Sequence, residues 1–279
     1  YQVSLVSSHG HTTFHIPEKK MNAQLGDGAA IAAETQLPVV TDLRALDVAL
    51  GGQGAPIVPI GEKFLLSEYD LFLNLGGIAN VSFNDPKRYI AFDICPANRV
   101  LNMLANNMGK EYDNEGKIAA SGKMINTLLE KLNGLNYYKQ PFPKSLANNF
   151  GTDVVYSLIR DSGAGMPDAL RTYVAHIAMR IKSDIAGLIN SRPQTRNFRL
   201  LATGGGALNV FLIHCLQEEL DKLNIQITVP DYRLVNFKEA MIMAFIGVLR
   251  WRQEYNILSS VTGASRESIG GALWTGQEA

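Results

Sequence analysis

The stretch from residue 71 to residue 102 constrains the fold more than any other part of the chain. Three short β-prone runs follow one another at hairpin spacing: Leu71–Leu75, Ala79–Phe83 and Tyr89–Phe92. Gly76-Gly77 separates the first two runs, Asn84-Asp85-Pro86 separates the second from the third, and both sequences are typical of turns. We therefore expect an antiparallel set of strands here, followed by a helix that begins near Asn98.

A single carboxylate, Asp93, follows the third run, where we expect the chain to leave the sheet. A carboxylate placed there can take a proton from a water or a hydroxyl group if burial keeps its pKa suitable. The alternative is an Asp that caps the following helix or turn. Cys95 lies two residues further on and has no evident His partner, so we do not expect it to act as a nucleophile.

The rest of the chain alternates between strand and helix patterns. The clearest segments are a strand at 1–6, an amphipathic helix at 168–191, strands at 198–203 and 225–229, an apolar helix at 239–251 and a strand at 272–274. Strands that alternate with helices after an antiparallel hairpin set predict an α/β protein with a mixed sheet.

Composition excludes several classes of function. The 279 residues carry 26 basic and 26 acidic side chains, so no net charge favours nucleic acid or an anionic membrane. The longest apolar run, residues 240–249, is too short to span a bilayer. Cys95 and Cys215 lie too far apart for a disulfide framework or a metal motif, which predicts a reducing, cytoplasmic location.

Three glycines, Gly204, Gly205 and Gly206, follow the strand that ends at Thr203 and precede a helix. Such a turn lets backbone N–H groups approach a phosphate or a sugar hydroxyl at a helix N-terminus. The sequence is neither a P-loop nor a complete dinucleotide-binding fingerprint. The alternative is a tight strand–helix turn with close packing.

A second glycine-rich segment, Gly51 to Gly54, includes Gln53 and follows Arg44 and Asp47. Three glycines in four residues indicate a backbone that passes close to a ligand or to another part of the chain. Arg44 could bind a carboxylate or a phosphate with two hydrogen bonds, or could form a structural pair with a neighbouring Asp.

Two polar positions remain ambiguous. The spacing of His9, His11 and His15 fits no common metal motif, and a hydrogen bond to a polar ligand is the better interpretation. Glu239, at the predicted start of the apolar helix, either caps that helix or faces a metal–nucleotide complex.

Several segments together resemble the anhydro-N-acetylmuramic acid kinase family in their order and spacing. They are SHGHTTFH, QLGDGAAIA, TDLRALDVALGGQGAPIVP, LNLGGIANVS, FDICPANRVLN, ATGGGALN, KEAMIMAFIG and SVTGAS. The resemblance implies a ribonuclease H-like, actin/hexokinase-type fold with two α/β domains and ATP in the cleft between them. It also implies the reaction: water opens 1,6-anhydro-N-acetylmuramic acid, and Mg-ATP phosphorylates the freed 6-hydroxyl during peptidoglycan recycling.

The resemblance also implies roles for particular residues. Asp93 would be the general base that activates the attacking water. The residues expected on the sugar side are His9, Gly10, Arg44, Asp47, Gln53, Gly54 and Asn98. The residues expected at the nucleotide are Gly76, Gly77, Gly204, Gly205, Gly206, Asn209 and Glu239. The cofactors would be ATP and Mg²⁺, and no protein ligand of the metal is expected.

The chain departs from the family pattern in two places. The family's Asp-Thr-Gly-Pro-Gly-Asn block reads Asp93-Ile94-Cys95-Pro96-Ala97-Asn98 here, which keeps the acid, the Pro and the Asn. Family members also begin with a longer segment that holds a phosphate-gripping Gly-Thr-Ser-Leu-Asp-Gly hairpin, and no such motif occurs in this sequence. We therefore expect a reshaped substrate loop, and we expect the chain alone to be a poor kinase.

On this basis we expect residues 1–67 to be the remainder of a first domain, 68–256 to be a second domain and 257–279 to return toward the first. The resemblance suggests a homodimer that acts on a small amino sugar and ATP, without nucleic acid or membrane. Two alternatives stay open: another amino-sugar kinase of the same fold, or a catalytically silent homologue that binds a sugar or a nucleotide.

Overall fold

The computed structural model describes residues 2–85, 88–142, 144–147, 149–190 and 197–276. The strands are β1 (Val6–Ser7), β2 (His11–Ile16), β3 (Met21–Leu25), β4 (Val39–Thr41), β5 (Leu71–Leu75), β6 (Ile78–Asn84), β7 (Tyr89–Pro96), β8 (Phe198–Thr203), β9 (Ile225–Thr228) and β10 (Ala272–Trp274). The α-helices are α1 (Gly28–Thr35), α2 (Ala45–Ala49), α3 (Pro59–Leu65), α4 (Asn98–Asn106), α5 (Lys117–Ser121), α6 (Asn126–Asn133), α7 (Ser157–Asp161), α8 (Met166–Ile189), α9 (Val210–Asp221), α10 (Tyr232–Trp251) and α11 (Ser259–Thr262). A π-helix spans Phe150–Tyr156.

The described residues form two compact units. Unit 1 holds those of Tyr1–Ser67, Asn84–Ile90 and Phe237–Ala279, and unit 2 holds those of Glu68–Phe83 and Ala91–Asn236. These units are defined by contacts between residues and not as folding domains. The domain limits expected from the sequence, residues 1–67, 68–256 and 257–279, therefore stay a prediction.

A five-stranded sheet in the order β7-β6-β5-β8-β9 supports unit 2. Strands β5 and β6 are antiparallel, with Leu71 opposite Phe83. Strand β8 runs parallel to both β5 and β9, and Asn74 of β5 lies beside Thr203 of β8. Because parallel strands end at the same edge of a sheet, the glycine turns that follow β5 and β8 become neighbours.

Helix α8 is the main apolar support of unit 2. Its inward residues repeat at helical spacing and are all buried: Leu170, Val174, Ile177, Ile181 and Ile185. The helix packs against α4, α5, α6 and α9. Burial of each such side chain contributes about 1.5–3 kcal/mol to the stability of the fold. Burial of this face therefore stabilises the helix that the periodic pattern predicts.

Unit 1 contains a smaller sheet in the order β1-β4-β10. Strand β4 is buried along its whole length, runs parallel to β1 and is antiparallel to β10. Strands β2 and β3 form a separate hairpin with an irregularity between Thr12 and Phe14. Within the described residues, no helix has both the length and the apolar character needed to cross a bilayer.

The predicted mixed α/β class is confirmed, and several element boundaries require correction, of which three matter most. Strand β1 is only Val6–Ser7, not residues 1–6. The apolar helix begins at Tyr232 rather than at Glu239, because the carboxylate of Asp231 accepts a hydrogen bond from the backbone of Leu234 and caps the first turn. Strand β7 continues past Phe92 to Pro96.

Several helical segments were not predicted from the sequence, among them the π-helix, α3, α7 and α11. The π-helix contains Gly151, Thr152 and Asp153, which are weak helix formers. Pro86, part of the predicted turn before β7, lies outside the described residues.

Candidate functional site

The Asp93 carboxylate is half-buried and is held through one oxygen. The backbone N–H of Leu146 donates to Oδ2 at 2.9 Å, and the Ser145 hydroxyl donates to the same oxygen at 3.2 Å. Among the described residues, Oδ1 accepts no hydrogen bond. Oδ1 is therefore the oxygen through which this carboxylate can take a proton.

The backbone of Asp93 is also fixed at both of its polar groups. Its N–H donates to the Lys144 carbonyl at 3.0 Å, and its carbonyl accepts a hydrogen bond from the Tyr137 hydroxyl at 2.7 Å. The residue lies inside β7, not where the chain leaves the sheet. The capping alternative is wrong, because Ala97 precedes α4 and no side chain caps that helix.

The environment of Asp93 suits a base. Burial raises the pKa of the Asp93 carboxylate above its ordinary value, and the hydrogen bonds from Leu146 and Ser145 act in the opposite direction. A carboxylate with a raised pKa accepts a proton more readily than an ordinary one.

The structure brings the three-glycine turn and Asn98 together at the end of β5. A Cβ atom on Gly204 would lie 2.6 Å from Oδ1 of Asn74, and one on Gly206 would lie 2.8 Å from Oδ1 of Asn98. The side-chain amide of Asn98 donates to the Leu75 carbonyl at 2.8 Å. The close-packing alternative therefore explains Gly204 and Gly206.

The Gly76-Gly77 turn presents its carbonyl groups to the start of α4. The N–H of Ala97 donates to the Gly77 carbonyl at 2.8 Å, and the N–H of Asn98 donates to the Gly76 carbonyl at 3.0 Å. These bonds satisfy backbone donors that a helix N-terminus would otherwise leave unpaired. The predicted contact of this turn with phosphate groups stays a prediction.

Thr203 is a site candidate that the sequence reasoning did not select. Its side chain is only 1% exposed, and its Oγ1 has no hydrogen-bond partner among the described residues. A buried hydroxyl without a partner costs about 1–3 kcal/mol, which a polar ligand atom would offset. The available signal was a Thr placed directly before three glycines at a strand end.

Asn209 has a local structural role. Its side-chain oxygen accepts a hydrogen bond from the Leu212 backbone at 3.0 Å and so caps α9. Its predicted contact with the nucleotide stays a prediction.

A second group of predicted residues lies in unit 1 around Arg44. The Arg44 guanidinium donates to Nε2 of His9 at 2.8 Å and to the Gly54 carbonyl at 2.7 Å. Nδ1 of His9 lies 2.9 Å from the Gly10 carbonyl, so a neutral ring protonated at Nδ1 satisfies both contacts. Burial lowers the pKa of Arg44, and the Glu239 carboxylate acts in the opposite direction.

The structural Arg–Asp pair is not formed by the described residues. Asp47 is fully buried instead, where Oδ2 accepts a hydrogen bond from the Gly54 N–H at 2.7 Å. Its Oδ1 accepts the Thr262 hydroxyl at 2.7 Å, and the Gln53 N–H donates to the Thr262 carbonyl at 2.8 Å. Asp47 thus holds the glycine-rich loop from inside, and sequence reasoning missed its partner Thr262.

The described residues contain no cluster of three or more side chains able to hold a metal ion. His15 contacts the side-chain oxygen of Asn22 at 3.1 Å. Glu239 is exposed and lies well inside α10, so its interpretation as the cap of that helix is wrong.

The predicted site residues therefore fall into two groups. Unit 2 holds Gly76, Gly77, Asp93, Asn98, Gly204, Gly205, Gly206 and Asn209. Unit 1 holds His9, Gly10, Arg44, Asp47, Gln53, Gly54 and Glu239.

Solved structures show distant similarity. The activator of 2-hydroxyisocaproyl-CoA dehydratase from Clostridium difficile has a TM-score of 0.43 and 18% identity, and the match covers 77% of this chain and 68% of that one. Xylulose kinase from Rhodospirillum rubrum has a TM-score of 0.36 and 15% identity, with coverage of 69% and 38%.

Sequence relatives are much closer. The family model described as anhydro-N-acetylmuramic acid kinase matches residues 1–276. The chain is 35% identical to the kinase of that name from Shewanella amazonensis, over 97% of this chain and 74% of that protein. It is 33% identical to the one from Photobacterium profundum, over 98% and 75%. The chain, which spans about three quarters of the length of these relatives, belongs to the anhydro-N-acetylmuramic acid kinase family.

Proposed function

We propose that this chain is an ATP-dependent kinase that opens 1,6-anhydro-N-acetylmuramic acid with water and phosphorylates it to N-acetylmuramic acid 6-phosphate. Family membership supports the kinase activity and the amino-sugar substrate, and places the reaction in peptidoglycan recycling. The observation that carries the hydrolytic step is the Asp93 carboxylate, which is oriented through Oδ2 and has Oδ1 available for a proton.

In this mechanism Oδ1 of Asp93 removes a proton from water while the water oxygen attacks the anomeric carbon of the sugar. The bond from that carbon to the bridging oxygen breaks, and the freed oxygen attacks the γ-phosphorus of ATP. ADP leaves with the electron pair of the broken phosphoanhydride bond. Because phosphoryl transfer depends mainly on positioning and charge stabilisation, the chain's principal chemical contribution is this single base.

We place ATP at the shared carboxyl edge of β5 and β8, where ligands of α/β sheets commonly bind. Two features support this placement. The Thr203 hydroxyl has no partner among the described residues, and a Cβ atom added to Gly205 would come no closer than 3.7 Å to Nδ2 of Asn98. Mg²⁺ commonly binds through phosphates, waters and one or two carboxylates, which is compatible with a metal that arrives on the nucleotide. No residue of this chain is assigned to it.

The alternative hypothesis, another amino-sugar kinase of the same fold, was based on the departure from the family pattern at Ile94 and Cys95. Both side chains are fully buried within β7, so neither presents a new surface to a substrate. The named substrate is therefore favoured. A cytoplasmic location rests on the two free, buried cysteines, and the homodimer and the absence of nucleic-acid or membrane partners stay predictions.

The test is incubation of the protein with Mg-ATP and the anhydro sugar, with mass spectrometry of the sugar phosphate. In keeping with the poor activity expected of this chain alone, we expect slow product formation from the wild type, and a rate about 10²–10⁴ lower still from Asp93→Asn, the range that general-base catalysis supplies. Asp161→Asn is the control, because its carboxylate is exposed and, within the described part of the chain, pairs only with Arg160. No product from the wild type, or an unchanged rate in Asp93→Asn, would contradict the proposal.

A further inference from the structure

Residues 144–146 wrap around Asp93 without being part of a helix or a strand. The Lys144 carbonyl accepts the N–H of Asp93, and the next two residues, Ser145 and Leu146, donate to its Oδ2. Three consecutive residues thus contact one carboxylate-bearing residue. Since the segment lacks a secondary structure of its own, other contacts must fix its position.

One of those contacts is a buried ion pair. The Lys144 side chain is 3% exposed, and its Nζ lies 3.1 Å from Oδ2 and 3.2 Å from Oδ1 of Asp184 on α8. The same ammonium group lies 5.1 Å from the ring centre of Tyr137, whose hydroxyl donates to the Asp93 carbonyl. The Lys144 side chain therefore connects the segment to helix α8.

We propose that Lys144 and Asp184 are positioning residues for the reaction: their ion pair anchors residues 144–146 to α8, and that segment orients the Asp93 carboxylate. The catalytic part of this inference rests on the function proposed above. Lys144 and Asp184 act through the segment, because the side-chain contacts of Lys144 are to Asp184, Tyr137 and Phe92.

The charged groups around the segment determine how to test the anchor. Arg180 lies 3.7 Å from Asp184, so Lys144, Asp184 and Arg180 form one group of charges next to the segment, whereas Glu62 contacts the other end of β7 through Tyr89 and is paired with Lys238. Burial raises the pKa of Tyr137 and of Cys95, which keeps both of these side chains neutral at working pH.

The experiment compares Lys144→Met and Asp184→Asn by the pH dependence of kcat/KM. If only charges mattered, loss of the cation would raise the pKa of Asp93 and loss of the anion would lower it. If the ion pair anchors the segment, both variants weaken the hydrogen bonds that favour the ionised carboxylate. We then expect the acidic limb of the kcat/KM profile to move upward by about one pH unit in both variants. A shift of that size corresponds to the loss of about one hydrogen bond to a charged group.

Lys182→Met is the matched control, because Lys182 lies on the same helix and loses only its ion pair with Glu219. Its acidic limb should stay in place. Shifts of opposite sign in the two test variants, or no shift in either, would overturn the anchor.

A second readout does not depend on turnover. By NMR, amide hydrogen exchange of Leu146 should accelerate at least about tenfold in both test variants and remain unchanged in the control. Asp184→Asn keeps the shape of the side chain, so it serves if Lys144→Met fails to fold. Unchanged Leu146 exchange in Asp184→Asn overturns the anchor. If the wild type is inactive but Leu146 exchange is still accelerated in the variants, only the proposed function is overturned.

Discussion

At the scale of one residue, the Asp93 carboxylate is held by Ser145 and Leu146, which lie more than fifty residues further along the chain. Asp93 was identifiable because it follows a β-prone run and keeps the acid of the family block. Its orientation was not, because the donors Ser145 and Leu146 lie far along the chain and their contacts arise only from tertiary packing. The same holds for Thr262, the buried partner of Asp47.

His176 gives a prediction about stability and pH. The ring is fully buried, with Nδ1 at 2.8 Å from the Asn133 side-chain oxygen and Nε2 at 3.0 Å from the Tyr138 hydroxyl. Burial lowers the pKa of His176 to about 3. Between that value and the ordinary one of about 6.5, the unfolded chain binds a proton that the folded chain does not, so stability falls as the pH falls.

The measurement is the free energy of unfolding in urea at several pH values for the wild type and His176→Gln. Below pH 6.5 the wild type should lose up to about 1.4 kcal/mol more per pH unit than the variant, because only the wild type has this proton to take up. Parallel curves for the two proteins would show that the ring does not titrate differently on folding.

At the scale of elements, apolar periodicity predicted most strands and helices but not all of their ends. The limits of β5 and β8 were predicted correctly because apolar residues fill them and glycines follow. The start of α10 depends on one capping carboxylate, and the residues by which β7 continues past Phe92 include the polar Asp93 and end at Pro96. Neither signal belongs to a hydrophobic pattern.

The three-glycine turn gives a prediction with an internal control. Gly204 has φ +81° and its Cβ would lie 2.9 Å from the backbone of Leu75, so Gly204→Ala should lower stability by about 1–3 kcal/mol and weaken nucleotide binding. Gly205 has an unstrained backbone, and its nearest neighbour to a Cβ, Nδ2 of Asn98, is 3.7 Å away. Gly205→Ala should therefore fold normally. Thermal denaturation and ATP titration of both variants check this, and equal behaviour would contradict it.

At the scale of the whole molecule, segments distant in sequence form unit 1. The carboxylate of Glu62 accepts hydrogen bonds from Lys238 at 2.9 Å and from Tyr89 at 3.0 Å, all within that unit. No local pattern predicts such a connection, because each partner lies in a different part of the sequence. Sequence reasoning could identify these residues as helix or strand members but not as one buried cluster.

Lys238→Met should therefore be strongly destabilising. The Lys238 and Glu62 side chains are 9% and 4% exposed, and removal of one partner from a buried pair costs about 3–5 kcal/mol. Lys222→Met is the control, because Lys222 is exposed and its pair with Glu219 is expected to contribute less than about 1 kcal/mol. Urea unfolding of both variants tests this, and similar losses in the two would be inconsistent with a buried, stabilising pair.

In the mechanism proposed above, the location of Asp93 within β7, rather than in a loop, has a consequence for each catalytic cycle. Backbone torsions of a strand are already restricted, so the entropy of ordering the carboxylate is lost once, when the chain folds, and not again when each sugar arrives. A base on a mobile loop would incur that loss in every turnover. The same rigidity means that this carboxylate can adapt little to a sugar of another shape.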